Sequence, residues 1–194
     1  MRRIAPDAAA ADAQHVRPPR SFVLSLVAAA LLSAFAVAPV ASPARAKGNS
    51  SLAALQAGVL IQLNLIRQLH DLAPLKLSSD LSASATQHTR EMGDDGYFQH
   101  PSFDGTSFWK RIQTYYSSSG YGYWSVGENL LWSSPSVGAL DAARLWMNSP
   151  EHRANILDPR WREIGISAMH FAAAPGTYHG LAVTIITTDF GVRR

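Results

Sequence analysis

The strongest constraint on the fold lies near the end of the chain, where residues 181–190 read LAVTIITTDF. A nearly continuous run of β-branched residues is typical of a strand that is buried on both faces of a sheet. An alternating apolar run at residues 163–171 precedes it, and the segment AAAPGTYHG joins the two. The two runs therefore predict an antiparallel hairpin whose loop is longer than a tight turn, with the second run as a central strand.

Helical periodicity dominates the middle of the chain. Apolar residues spaced by three and four predict a first helix over residues 52–72, which Pro74 ends. Serine caps, first-position prolines and a closing glycine mark the other helices. These are a second helix from Ser78 or Ser79 to Gly93, a short one over residues 107–116, a third long one opening at Ser134-Pro135, and another short one from Ser149-Pro150 to Asp158-Pro159.

An apolar, uncharged run occupies residues 21–38, SFVLSLVAAALLSAFAVA. Four arginines precede it, and the small-x-small triplet Ala44-Arg45-Ala46 follows it. This order is that of a secretory signal peptide, so we expect residues 1–46 to be removed near Ala46 and the mature protein to be secreted or periplasmic. An uncleaved membrane anchor is the alternative, because the run approaches spanning length. We favour cleavage, without stable membrane insertion afterwards, because alanine-rich runs are weakly hydrophobic.

Removal of the leader leaves a short polar linker at residues 47–54 and one domain at residues 55–194. Residues 1–46 hold 5 of the 17 basic and 2 of the 14 acidic residues, which leaves 12 of each. A net charge near zero gives no reason to expect a nucleic-acid partner. The chain has no cysteine, so an exported domain of this sequence must fold without disulfides, and we expect a monomer.

The segment YFQHPSFDG at residues 97–105 places His100 among aromatic residues. Gly96 and Gly105 on its two sides, with Pro101 inside it, predict a loop rather than the middle of a helix. An imidazole on a structured loop, beside rings that exclude water, can serve as a ligand or as a proton carrier.

Two later segments carry further candidates. Glu128 lies between Gly127 and Asn129, where a carboxylate can act as a base, bind a metal or accept amide protons, the last being the commoner use. His152 falls in the first turn of a predicted helix, whose positive end favours the neutral imidazole that a metal ligand or general base requires. Two imidazoles and one carboxylate are the ligand set of open zinc sites and also a metal-free acid/base set.

Other polar residues have simpler structural interpretations. His88, on the apolar stripe of the second helix, is interpreted as a partly buried core histidine. Glu151 is interpreted as a first-turn charge that complements the helix dipole. Asn155 is expected to connect neighbouring loops rather than to face a ligand.

In this order, YFQHPSFDG, GEN and WMNSPEHRANIL resemble the bacterial, cysteine-free branch of the CAP superfamily. The superfamily is named for cysteine-rich secretory proteins, antigen 5 and pathogenesis-related 1 proteins, and the resemblance covers residues 55–190. It implies an α+β fold, a three-layer α-β-α sandwich with a central antiparallel sheet. It also implies a surface cleft lined by His100, Glu128 and His152, which become the candidate ligands of a divalent metal such as zinc.

The sequence departs from the superfamily pattern at three places. Eukaryotic members have a second Glu shortly after a helix Trp, where this chain has Asn148-Ser149. Their strand motif with a His is absent, so that role is not transferred to His179. Bacterial relatives usually have Gly at the position of Glu151, which is either a replacement carboxylate beside the cleft or, as we favour, a helix-end charge.

These observations support three functional hypotheses. The first is an exported, non-enzymatic domain whose cleft binds a metal ion, a lipid or a cell-envelope ligand. Aromatic side chains would form its rim: Tyr97, Phe98, Phe103 and Trp124. The alternative is a metal-dependent hydrolase, with His100 and His152 as ligands and Glu128 as general base. A structural or interaction module is the third, because a fold does not determine a function.

Overall fold

A computed structural model of the chain describes the backbone of residues 15–16 and 44–194, and the side chains of residues 51–194. The predicted signal peptide, including its apolar run, therefore lies outside the described residues except at residues 15–16 and 44–46. Helices and strands alternate irregularly along the described chain. In chain order they are β1 (His15–Val16), α1 (Ala44–Leu69), β2 (Lys76–Leu77), α2 (Ser79–Asp95), α3 (Phe108–Tyr115), β3 (Trp124–Ser133), α4 (Ala139–Asn148), α5 (Pro150–Ile156), β4 (Glu163–Ala174), a 3₁₀ turn (Gly176–Tyr178) and β5 (Leu181–Arg193).

The sheet has the strand order β1-β3-β5-β4-β2. The β-branched strand β5 is central, as predicted, and pairs antiparallel with β3 on one side and with β4 on the other. The predicted hairpin is confirmed, with a register shift between Phe171 and Ala174 where its long loop begins. The two-residue edge strands β1 and β2 run parallel to their neighbours, a detail that the expectation of an antiparallel sheet did not include.

Helices cover both faces of this sheet, which confirms the three-layer α-β-α sandwich. Ile186 and Phe190 of β5 face a cluster that contains Val59 of α1 and Trp146 of α4. Residues of the opposite parity on β5 face the other layer, where Ile185 joins a cluster with Met92 of α2. Because successive strand residues point to opposite faces, one central strand supplies both halves of the core.

Two predicted boundaries were wrong. Helix α1 begins at Ala44, so the predicted linker at residues 47–54 lies within it. Helix α4 begins at Ala139 rather than at Ser134-Pro135. Pro at the first helical position is a common helix signal, but here the Ser134–Pro135 peptide bond is cis and belongs to the turn before the helix.

Among the described residues, one helical stretch, Ser51–Leu69 of α1, is long and apolar enough to cross a membrane by length and composition. Its inner face nevertheless belongs to the folded domain. Val59 and Leu63 are fully buried, and the buried Arg67 donates hydrogen bonds to the carbonyls of Ile156 (2.7 Å) and Asp158 (3.0 Å). Helix α1 is therefore a core helix of this domain, and its outer face is apolar.

Candidate functional site

His100 lies in the connection between α2 and α3, the loop that the sequence predicts. Gly105 has the left-handed φ of 82° and donates its amide to Ser102 at 2.8 Å, which closes a turn after His100. Asp104 stabilises the same turn by accepting a hydrogen bond from the Thr106 amide at 2.8 Å. The loop is therefore held by its own hydrogen bonds, and His100 sits on a defined backbone.

Glu128 is the charged centre of the site. It lies on β3 with a fully buried side chain, and its Oε1 accepts a hydrogen bond from Nδ1 of His100 at 2.8 Å. Its Oε2 accepts one from Nη2 of Arg111. Burial alone would raise the pKa of this carboxyl, but the charges of Arg111 and His88 and the hydrogen bond from His100 outweigh burial and lower it. Glu128 is therefore a fixed carboxylate.

Arg111 is one of the site residues that sequence reasoning missed. It lies on α3, is 3 % exposed, and its Nη1 donates to the carbonyl of His100 (3.0 Å) and to Oγ of Ser102 (3.2 Å). One guanidinium thus fixes both the His100 loop and the Glu128 carboxylate. The sequence signal was an Arg directly before the inward-facing Ile112, on the buried side of a short amphipathic helix.

His88 is buried beneath the site rather than only packed in the core. Its Nε2 lies 3.0 Å from the carbonyl of Gln99, which can only accept, so this nitrogen carries the proton. The same atom is 4.0 Å from Oε1 of Glu128. On the other side of the ring, Nδ1 lies 3.8 Å from Oε2 of Glu91, and His88 is the largest of the influences that lower the pKa of Glu91 to about 2. Helix α2 therefore places the polar side chain of His88 beneath Glu128, with Glu91 on the other side of its ring.

Asp189 is a second buried carboxyl, and sequence reasoning did not identify it. It is the register partner of Glu128 in the β3–β5 ladder, so the two side chains share one face of the sheet. Neither of its oxygens has a hydrogen-bond partner among the described residues, although Ser84 lies close enough to influence its ionisation. Burial, reinforced by the charge of Glu128, raises the pKa of Asp189 well above its ordinary value. Asp189 therefore retains its proton where an exposed aspartate would lose it.

His152 approaches the same site from the other layer, in the first turn of α5. It is 4 % exposed, and burial, followed by the charge of His100, lowers its pKa to about 4. The neutral ring predicted from the helix dipole is therefore produced chiefly by burial. Glu151 is exposed and accepts a hydrogen bond from the Ser149 hydroxyl at 3.4 Å, as a helix-end charge does. Its negative charge raises the pKa of His152, but less than burial and the charge of His100 lower it.

The GEN motif has a structural explanation around Glu128. A Cβ on Gly127 would lie 2.5 Å from Oδ1 of Asn155, so glycine lets α5 approach β3. Nδ2 of Asn155 donates to the Glu128 carbonyl (3.1 Å) and to Oδ1 of Asn129 (3.0 Å). Asn129 in turn donates to the His152 carbonyl at 3.1 Å. This amide clamp fixes His152 relative to Glu128, and Asn155 has the connecting role that the sequence suggested.

The aromatic surroundings of His100 differ from the predicted rim. Phe103 is 65 % exposed and packs on Tyr97 at a ring-centroid distance of 5.6 Å. Phe108 of α3, which was not predicted, lies 6.1 Å from the His100 ring. Phe98 packs against the cluster of Met92, whereas Trp124 packs in a third cluster, where its Nε1 donates to the Tyr116 carbonyl. The exposed aromatic surface therefore centres on Phe103, and its side chain is free to contact a ligand.

The sequence predicts His100, Glu128 and His152 as the ligands of a divalent metal. Among the residues whose side chains are described, no cluster of three or more His, Asp or Glu side chains is placed to hold a metal ion. Both oxygens of Glu128 accept hydrogen bonds from protein donors. Zinc binding by His100, Glu128 and His152 stays a prediction.

Comparisons with known proteins agree on the family and the fold. The sequence model of CAP, the cysteine-rich secretory protein family, matches residues 60–181. The uncharacterized protein YkwD of Bacillus subtilis is 32 % identical over 117 residues, which are 60 % of this chain and 43 % of YkwD. This chain thus spans less than half the length of that relative.

Two solved structures share the fold at low sequence identity. An extracellular protein containing a SCP domain from Bacillus anthracis aligns with a TM-score of 0.56 and 24 % identity, over 81 % of this chain and 45 % of that one. An outer surface protein from Borrelia burgdorferi aligns with a TM-score of 0.53 and 20 % identity, over 70 % of this chain and 90 % of that one. Both likenesses concern the fold alone.

Proposed function

Because this chain belongs to the CAP family, we propose that it is an exported binding domain whose cleft between His100 and His152 takes up a small-molecule, lipid or cell-envelope ligand. The observation that carries the proposal is the state of Glu128. Its carboxylate is buried, and both of its oxygens are bonded to His100 and Arg111. Such a carboxylate organises a binding site and is poorly suited to accept a proton from water.

The two imidazoles supply the polar contacts for a ligand. Since Glu128 is ionised, Nδ1 of His100 carries the proton that it donates, and Nε2 is left without a protein partner among the described residues. His152 stays neutral because its pKa is lowered to about 4. The neutral imidazole of His152 can offer one donor and one acceptor, while His100 offers its Nε2. Together with the exposed ring of Phe103, they suit a ligand that has a polar group beside an apolar surface.

The hydrolase alternative requires Glu128 to act as a general base. A general base works best with a pKa near the operating pH, whereas Arg111, His88 and His100 hold the pKa of Glu128 below its ordinary range. One feature favours a metal at His100. A carboxylate that bonds one ring nitrogen is the usual orienting group for a histidine whose other nitrogen binds a metal. In that arrangement Glu128 orients a ligand and does not act as the base.

Native mass spectrometry of the chain purified from a cell that exports it tests the binding proposal. We expect a retained small molecule on the wild type and its loss from the His100→Ala variant. His170→Ala is the matched control, because His170 is exposed on β4 and bonds only Thr184 (3.2 Å) among the contacts described. If the wild type, His100→Ala and His170→Ala all retain the same ligand, or if none of them retains one, the cleft is not the binding surface.

The same three proteins separate binding from catalysis. Peptide and ester panels, measured with and without added zinc, should show no hydrolysis that depends on His100. Hydrolysis that the His100→Ala variant loses and the His170→Ala variant keeps would establish the enzyme instead. Zinc titration by calorimetry on the wild type and on His152→Ala tests the metal prediction directly.

A further inference from the structure

The outer face of α1 carries a row of large aliphatic side chains. Ile61, Leu65 and Leu69 are 56 %, 47 % and 82 % exposed, and their spacing of four residues places them on one side of the helix. Single exposed aliphatic residues are ordinary on protein surfaces, but a continuous row marks a surface that contacts something apolar. We call these three residues the α1 stripe.

The helix face that bears the α1 stripe is also free of charge. Between Ser51 and Leu69 the only charged residue is Arg67, and its side chain is buried against the carbonyls of Ile156 and Asp158. A helix face that meets water normally carries charged residues. The exposed side of α1 therefore lacks the charged groups that most strongly favour water, and its exposed polar residues, Ser51 and Gln68, are uncharged.

The position of α1 in the chain indicates which apolar surface it meets. The apolar run of the predicted leader ends at residue 38, and α1 begins at Ala44. Six residue steps reach at most about 20 Å, so α1 starts close to any bilayer that holds this run.

We propose that the α1 stripe rests on the surface of a lipid bilayer, with Ile61, Leu65 and Leu69 among the acyl chains nearest the headgroups. The helix lies along the membrane and does not cross it, because its opposite face is packed in the core of the domain. A single apolar stripe binds a bilayer only weakly, so the adjacent leader run acts as the second anchoring signal for as long as it is attached. This docking is independent of what the cleft binds.

Site-specific fluorescence quenching tests the proposal. The chain has no cysteine, so Leu65→Cys can carry a single small fluorophore without background labelling. The control is Leu181→Cys, because Leu181 is 42 % exposed. It is the first residue of β5 and has an odd number like Val183 and Ile185, which face α2 on the side of the sheet opposite α1. The full-length chain is reconstituted in vesicles of equimolar phosphatidylethanolamine and phosphatidylglycerol that contain an acyl-chain spin label. We expect quenching at position 65 to exceed that at position 181 by at least about twofold, at low and at high salt.

A second variant links the quenching to the stripe itself. Adding Ile61→Gln and Leu69→Gln to the labelled Leu65→Cys chain should remove the excess quenching and leave the unfolding midpoint unchanged, because these side chains are exposed. Equal quenching at positions 65 and 181, or quenching that survives the two Gln substitutions, overturns the proposal. So does a fluorescence change at position 65 that depends on protein concentration without vesicles, since that identifies a second copy as the partner.

Discussion

At the scale of single residues, Arg111 holds the site together. Its guanidinium compensates the buried charge of Glu128 and holds the His100 loop through the carbonyl of residue 100. Replacing it by Met leaves the carboxylate buried without its main counter-charge. We expect Arg111→Met to lower the free energy of unfolding by about 3–5 kcal/mol, measured by denaturant titration.

Arg153→Met is the matched control for that substitution. Arg153 is exposed on α5, and replacing such a residue should change stability by no more than about 0.5 kcal/mol. Similar decreases in the free energy of unfolding for the two variants would mean that the ion pair between Arg111 and Glu128 does not stabilise the fold.

A second residue-scale prediction concerns the proton on Asp189. Its pKa is raised in the folded protein, so this group contributes stability below the ordinary aspartate pKa of 3.8 and loses it as the pH rises through the folded value. Asn cannot ionise. The stability of Asp189→Asn minus that of the wild type should therefore increase from about pH 4 upward, by about 1.4 kcal/mol for each unit by which the pKa is raised.

Urea unfolding of both proteins at several pH values measures this difference. His152 has a lowered pKa and contributes with the opposite sign between its folded value of about 4 and its ordinary value of 6.5, but it is common to both chains and cancels. A difference that stays flat across this range would show that Asp189 is ionised in the folded protein.

At the scale of elements, α2 packs directly on the backbone of β4 at Gly165. A Cβ there would lie 2.0 Å from the backbone carbonyl carbon of Leu81, which cannot move without shifting the start of the helix. We expect Gly165→Ala to destabilise the domain by roughly 3 kcal/mol. The control is Gly122→Ala, where the nearest atom to a new Cβ is 3.8 Å away and the change should stay within about 0.5 kcal/mol. Equal thermal midpoints for the two variants would contradict this packing.

Some features of these elements could be predicted from the sequence and others could not. The central position of β5 follows from its β-branched run, because only a strand covered on both faces tolerates one. The start of α4 was misplaced, since a serine-proline pair predicts a helix start equally well when it forms a turn. The resemblance to the CAP superfamily, rather than periodicity, brought His100, Glu128 and His152 together. Arg111 and Asp189 were missed because their roles depend on cross-strand and interlayer neighbours that no local pattern contains.

At the scale of the whole molecule, three separate segments meet at one carboxylate. The α2–α3 loop supplies His100, α3 supplies Arg111, and β3 supplies Glu128, while the amide clamp holds α5 and His152 alongside. The network is formed by charge and hydrogen bonds across the layers of a cysteine-free sandwich. It explains how a domain without disulfides can hold His100, Arg111 and Glu128 in a fixed arrangement.

The ionisation of Glu128 tests this account most directly. The measurement is a carbon-13 NMR titration of its side-chain carboxyl in the full-length protein, assigned by comparison with Glu128→Gln. We predict no titration from neutral pH down to its ordinary pKa of 4.5, because Arg111, His88 and His100 hold the charged form. A midpoint near neutral pH, where a general base operates, would contradict the account and favour the hydrolase.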